Sequence, residues 1–219
     1  MISPKLYRSS RTYDFFMKLL GYESSIDRFL RSLSFDLQAP RILDAGCGTG
    51  FLGLHFLARF PGSSLVATDL EPNFLEATLA NAERRRIDRE RIQVGIANIS
   101  EPATLTSLDG ESCTLPASTF DLICIGAVVG YASDTPSALR QLVDLLKPGG
   151  LLLNLEMNES PTGRLVSHRY HYANISLGQM RQVLGDAGCT VTTTKLGLRH
   201  LPAKFTRTAM LARKSAERR

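Results

Sequence analysis

The chain has 219 residues, of which 43% are hydrophobic and 21% charged, with a formal net charge of +5. That much apolar material excludes a disordered chain, the length suits one three-layer domain, and the lack of an apolar run of roughly 18 residues excludes a membrane-spanning helix. The start MISPKLYRSS has neither the apolar stretch nor the cleavage site of a secretory leader, so the sequence predicts a cytoplasmic protein; its scattered cysteines, Cys47, Cys113, Cys124 and Cys189, are expected to stay reduced and to hold no metal.

In chain order, residues 13–33 carry helical spacing, with Gly21 separating two helices. RILDA then reads as a strand, a glycine cluster follows, and FLGLHFLARF reads as a helix stopped by Pro61 and Gly62. SLVATD is a second strand and PNFLEATLANAERRR its helix, with Pro72 suited to the first turn. RIQVGIAN is a third strand and FDLICIG a fourth, continuously apolar as a strand covered on both faces should be. TPSALRQLVDLL is a helix, KPGG a turn, and LLLNLE a fifth strand. A capping box of Ser176 and Gln179 opens a helix that Gly188 ends, before TVTTTKL and a final strand, FTRTAMLAR. Strands alternating with helices predict right-handed crossovers and a mostly parallel, doubly wound α/β sheet. In such sheets a ligand sits beyond the carboxyl ends of the strands, where the glycine cluster falls.

Glycine tolerates φ > 0 and brings no side chain between backbone and guest, so Gly46, Gly48 and Gly50 suit a tight turn against something bound. A dinucleotide fingerprint would need glycine at position 51, where Phe51 stands, and no GK followed by Ser or Thr marks a phosphate loop. The sequence resembles the class I S-adenosylmethionine (SAM)-dependent methyltransferases: LDAGCGTG at 43–50 has the form of their first motif, and ATDLEP, FDLICIGAVVGYASD and LKPGG follow in the matching order. The resemblance covers about residues 40–156. It implies a three-layer Rossmann-like sheet of seven strands, mostly parallel with the last antiparallel. It also implies N-terminal lid helices over 1–38 and one globular cofactor-binding domain over 39–219.

By the same resemblance the cofactor is SAM, held by Asp44, Ala45, Gly46, Cys47, Gly48 and Gly50 around the first turn. Asp69 and Leu70 end the second strand, and an acidic residue at that place accepts hydrogen bonds from both ribose hydroxyls. The chemistry agrees, since a carboxylate offers two acceptor oxygens to a vicinal diol; capping the helix that begins near Pro72 is the plainer role for Asp69. Asn98 and Ile99 end the third strand beside the adenine, with Asp109 an alternative to Asn98 if the added segment loops out. Gly126 and Ala127 flank the sulfur, and Tyr13 lies close to the pocket under the lid reading.

The expected reaction is transfer of a methyl group to an N or O atom of a small-molecule or lipid acceptor. His168 and His171 are the candidate bases, Glu156 orients a cationic part of the substrate, and Tyr131, Tyr170 and Tyr172 offer it aromatic faces. Alternatives from other classes are a methyltransferase acting on protein or RNA and a SAM-binding module without catalysis. The first would need the basic runs at 84–91 and 213–219 to gather beside the pocket, and solvated faces are the commoner role of such runs. The site after the fourth strand reads GAVVGYAS, without the Asn-Pro-Pro-aromatic run of base-modifying enzymes, so nucleic acid is not the expected partner. Basic and aromatic residues mixed in KLYRSSRTYDFFMKLLGY also suit membrane-surface contact by the N-terminal helices, although a lid over the cofactor is the stronger reading of such leading helices. His55 reads as a packed helix residue, and His200 has no role.

Overall fold

The structure, a computed structural model, describes residues 21–169, 172–173 and 175–216. Its elements are α1 (Tyr22–Ser32), β1 (Arg41–Ala45), α2 (Phe51–Arg59), β2 (Ser64–Asp69), α3 (Pro72–Arg84), β3 (Ile92–Ile96), β4 (Thr104–Thr106), β5 (Ser112–Thr114), β6 (Phe120–Ile125), α4 (Thr135–Leu145), β7 (Leu146–Met157), α5 (Pro161–Arg169), α6 (Leu177–Asp186), β8 (Cys189–Lys195) and β9 (Arg207–Lys214).

One sheet runs β5-β4-β3-β2-β1-β6-β7-β9-β8. The five central strands from β3 to β7 are parallel, while β9 runs antiparallel to both β7 and β8. Winding proceeds outward from β1 through β2 to β3, then restarts on the other side with β6 and β7. The reversal falls between β1 and β6, so their carboxyl ends open the crevice in which such sheets bind ligands.

The apolar runs exist because both faces are covered. Successive residues of a strand point to opposite faces, and here each neighbour enters a different core. Ile42, Leu65, Leu122 and Leu153 pack with Leu30 of α1 and with Leu54 and Leu57 of α2. Leu43, Val66, Ile123 and Leu152 pack with Leu139 and Leu142 of α4 and with Met180 and Leu184 of α6. Helix α1 belongs to the first core, with Leu30 fully buried and Phe29 2% exposed. Its start is tied to the far side of the sheet, where Arg207 Nε donates to the Tyr22 hydroxyl at 2.6 Å.

Two departures from the sequence reading matter for the site. The sheet has nine strands rather than seven, because the segment before β6 folds as the short hairpin β4–β5. The stretch after β7, to which the sequence reading assigned no element, forms α5, a helix that buries only Gly163 and Ser167. The expectations placed on residues 1–20, including the leading helix, its lid and membrane roles and Tyr13, lie outside the described residues, as do His171 and Tyr170.

Candidate functional site

The carboxyl end of β1 runs into the glycine turn. Gly46, Gly48 and Gly50 all have positive φ, at 67°, 54° and 80°, where a side chain strains the backbone. Only one of the three faces open space. A Cβ on Gly46 would stand 2.2 Å from Val128, and one on Gly50 2.6 Å from Thr78, so the protein itself fills those positions. Among the described residues, a Cβ on Gly48 would meet nothing within 4 Å. Of Gly46, Gly48 and Gly50, all expected to lie bare toward a guest, Gly46 yields to Val128 and Gly50 to Thr78, so among the described residues it is Gly48 that presents bare backbone outward.

Asp69 stands beside that bare backbone. One carboxylate oxygen accepts from the Gly48 amide at 2.8 Å and the other from the Glu71 amide at 3.1 Å. The side chain therefore caps the start of α3 and braces the glycine turn at once. It remains partly exposed, and burial raises its carboxyl above the ordinary range against those two bonds. Asp44 lies deeper, 1% exposed, and accepts from the Gly53 amide at 2.7 Å, which anchors the first turn of α2. Burial, assisted by the nearby charge of Asp69, pushes its carboxyl up to about 7.

Two residues that sequence reasoning missed hold the turn from α3. Thr78 donates to the Gly48 carbonyl at 3.1 Å, and Asn81 donates to the Thr49 carbonyl at 2.9 Å. The available signal was two polar residues one turn apart on the helix face that also carries Phe74, Leu75 and Ala82. Cys47 is buried with its sulfur against Thr78, and burial holds its thiol well above the usual range, as befits a packing residue. Ala45 is 1% exposed and offers only backbone to the crevice, while Leu70 is 57% exposed on its rim.

Across the crevice, Gly126 and Ala127 follow β6, and Ala127 adopts φ 51°, a costly conformation for a residue with a side chain. Asn98 is exposed at the end of β3, its side-chain oxygen accepting from the Ser100 amide at 2.9 Å, with Ile99 half-buried beside it. The alternative of Asp109 is corrected by register. Thr106 pairs with Ile96, the last residue of β3, so the chain beyond runs back along β3 and carries Asp109 to a hairpin tip away from the rim.

Glu156 does not stand open at the rim for a substrate cation, as the sequence suggested. It is 1% exposed, and its carboxylate accepts from the Tyr172 hydroxyl at 2.5 Å, the Met157 amide at 2.8 Å and the Asn154 amide group at 3.3 Å. Burial raises its carboxyl and, with the charge of Glu156 alongside, the Tyr172 phenol as well. The Tyr172 ring fills the space that a Cβ on Gly130 would need and meets Tyr131 edge-on at 5.1 Å between centroids. Glu156 therefore fixes Tyr172, which in turn clamps the turn after β6. Tyr172→Phe should leave a buried carboxylate short of one donor, costing about 2 kcal/mol and lowering the melting temperature by about 5 °C. Calorimetric cofactor affinity should fall far less than stability does, because the pair acts on the cofactor side only through the turn after β6 and does not touch the glycine turn.

His168 is exposed on the last turn of α5. His55 is a packed helix residue, its side chain 9% exposed and its Nδ1 2.9 Å from Asp27. Of the basic runs, Arg91 caps the carbonyls of Leu57 and Ser63, and Lys214 those of Val143 and Leu146. Residues 84–91 and 213–216 lie where α3 and β9 end, at the amino-terminal edge of the parallel strands, opposite the crevice. They do not gather beside the site. Among the described residues no group of three or more His, Cys, Asp or Glu side chains is placed to hold a metal ion.

The arrangement fits SAM: a bare backbone step at Gly48, a carboxylate beside it for a diol, and a second buried carboxylate behind the turn for a cationic ligand. Comparison with known proteins agrees. Residues 43–152 match the model of a methyltransferase domain family. The chain is 33% identical over 192 residues to the ubiquinone/menaquinone biosynthesis C-methyltransferase UbiE of Syntrophotalea carbinolica, covering 84% of this chain and 72% of that protein. It is 32% identical over 123 residues to a malonyl-[acyl-carrier protein] O-methyltransferase of Magnetococcus marinus, covering 56% of this chain but only 40% of that one. Among solved structures, an O-methyltransferase family protein from Burkholderia thailandensis shares the fold with a TM-score of 0.76 at 17% identity, over 97% of this chain and 61% of its own.

Proposed function

We propose that this chain, which belongs to the class I SAM-dependent methyltransferases, transfers a methyl group to a carbon or oxygen atom of a lipid-like or carrier-linked small acceptor. The observation that carries the cofactor half of this reading is the open space over Gly48 with the Asp69 carboxylate bonded to its amide. The acceptor half is supported by what the relatives are named for, quinone biosynthesis and a carrier-bound malonyl group. Transfer to nitrogen, which the sequence left equal with oxygen, is not the activity these two relatives are named for.

Bound in the crevice, SAM supplies a methyl group already activated by its positive sulfur, so the protein's work is chiefly orientation and the exclusion of water. In this reading Asp69 receives the ribose hydroxyls on the lone pairs that Gly48 and Glu71 leave available. Gly48 and the turn after β6 bring backbone close to the cofactor from two sides. Asp44 favours a cationic amino group behind the turn, and Asn98 and Ile99 border the adenine. Tyr131, held by Tyr172 and Glu156, faces the acceptor, and His168 and His171 are the proposed bases for a hydroxyl or acidic carbon.

Asp69→Ala should weaken SAM binding about a hundredfold, the loss of two hydrogen bonds to a charged acceptor in a partly buried site. Titration calorimetry reads this directly, and an unchanged affinity would remove Asp69 from the site. Activity is tested by incubating the protein with methyl-labelled SAM and fractionated extract: label in the lipid or small-metabolite fraction, or on a small group that can be cleaved from its carrier, supports the acceptor class, whereas label on polypeptide side chains or RNA contradicts it.

A further inference from the structure

Among the described residues, six large apolar side chains stand out as exposed, and four of them fall on two neighbouring segments: Leu165 at 68%, Leu198 at 73%, Leu201 at 38% and Phe205 at 55%. The segments are α5 and the stretch 197–206, which joins β8 to β9. They leave the sheet at the same edge, because β7 ends there while β9, antiparallel to it, begins there. They are also bonded to each other, since the hydroxyls of Ser160 and Thr162 both donate to the Phe205 carbonyl. This is the edge at which β1 and β6 open the cofactor crevice.

The charges interleaved with these side chains are of one sign. Arg164 and Arg169 flank Leu165, and Arg199 and Lys204 flank Leu201, while Glu159 is the one carboxylate that residues 158–169 and 197–206 contain. A soluble protein seldom gathers its exposed leucines in one place without a partner. A second copy of the chain fits poorly, because a two-fold contact through this face would set arginines against arginines. Exposed leucine and phenylalanine studded among arginine and lysine is the composition of surfaces that rest in the headgroup layer of an anionic bilayer.

We propose that α5 and residues 197–206 form a lip that docks on an anionic lipid surface, with Leu165, Leu198 and Phe205 entering the interface and Arg164, Arg169, Arg199 and Lys204 meeting the headgroups. The lip deepens the functional reading above, on which it rests for its purpose: it sets the crevice against the phase from which a lipid-like acceptor would come. Its geometry does not involve residues 1–20, where the sequence placed membrane contact.

Vesicle flotation of the full chain tests it. The protein should rise with phosphatidylcholine vesicles containing about one-third phosphatidylglycerol, stay down with phosphatidylcholine alone, and be released by about 0.5 M salt. The double variant Leu198→Ser, Phe205→Ser and the double variant Arg164→Glu, Arg199→Glu should each partition about tenfold less. Affinity for S-adenosylhomocysteine and the melting temperature, measured on the same samples, should stay at the wild-type level and show that the variants are folded. The proposal is overturned if wild-type protein ignores anionic vesicles. It is equally overturned if the variants float as wild type does, which would put the contact elsewhere on the chain, or if the variants convert a wild-type dimer to monomer on a sizing column. Loss of S-adenosylhomocysteine binding by the wild type would instead sink the methyltransferase reading and leave the flotation result standing.

Discussion

Gly48→Val is expected to reduce SAM affinity at least about a thousandfold, while Gly48→Ala loses roughly tenfold to a hundredfold, both by titration calorimetry. The two variants share a backbone cost, since φ at residue 48 is 54° and any side chain is strained there by about 1–2 kcal/mol. They should therefore melt a few degrees below the wild type, with valine somewhat lower for its branching at Cβ. What separates them is the volume placed over the turn. Among the described residues nothing lies within 4 Å of a Cβ there, so the added volume is directed at a guest. At Gly46 the order of effects reverses, because Val128 already occupies the place of its side chain. Gly46→Ala should lose stability first and cofactor affinity as a consequence. Equal SAM affinity in the wild type and Gly48→Val would mean that the open space belongs to no ligand.

Asp44→Asn is expected to raise the melting temperature by several degrees at pH 8 and by little at pH 4, while weakening SAM binding. The carboxyl of Asp44 titrates near 7 in the fold against 3.8 in its ordinary surroundings, chiefly because burial disfavours its charge. Between those values the folded protein holds a proton that the unfolded chain has released. Stability from the protonated carboxyl is thus complete below about pH 4 and is lost as the pH rises through 7. The raised pKa amounts to a cost on the order of 4 kcal/mol at pH 8. Asparagine keeps an oxygen for the Gly53 amide and has no charge to desolvate, so its pH profile should be flatter. Such a cost is tolerated where a buried negative charge serves a cationic ligand, and binding sites commonly trade stability in this way. Added SAM should accordingly stabilise the wild type more at pH 8 than at pH 5.5. Parallel melting profiles for wild type and variant would show that Asp44 is not the group that titrates.

The sequence disclosed what depends on repeated pattern. Strands β1, β2, β6 and β7 were visible as apolar runs because two covered faces leave no polar alternation, and glycine and proline marked the turns between them. It concealed what depends on a single contact. The hairpin β4–β5 consists of two three-residue strands, Thr104–Thr106 and Ser112–Thr114, in which only Leu105 is buried, so no period had room to show. Helix α5 packs through Gly163 against Asn158, and a helix that buries glycine and serine has no apolar stripe to detect.

At the site the same division holds. Asp69 was legible because it ends a strand, and its position brings it within 2.8 Å of the glycine turn. The part played by Gly46 was not, since only the fold sets Val128 over it. Glu156 looked like a rim carboxylate because it ends a strand too. Its burial is fixed by Tyr172, which lies beyond a helix that had not been read from the sequence. The polar pair Thr78 and Asn81 was hidden in a helix whose other buried residues are apolar.

An adenosyl ligand should rest on the backbone at Gly48 with its sugar held by Asp69. A crystal grown with S-adenosylhomocysteine would show it. Ligand density is expected in van der Waals contact with Gly48, with both ribose hydroxyls within hydrogen-bond distance of the Asp69 carboxylate. Density elsewhere on the protein, with the Gly48 turn bare and Asp69 bonded only to the amides of Gly48 and Glu71, would contradict it.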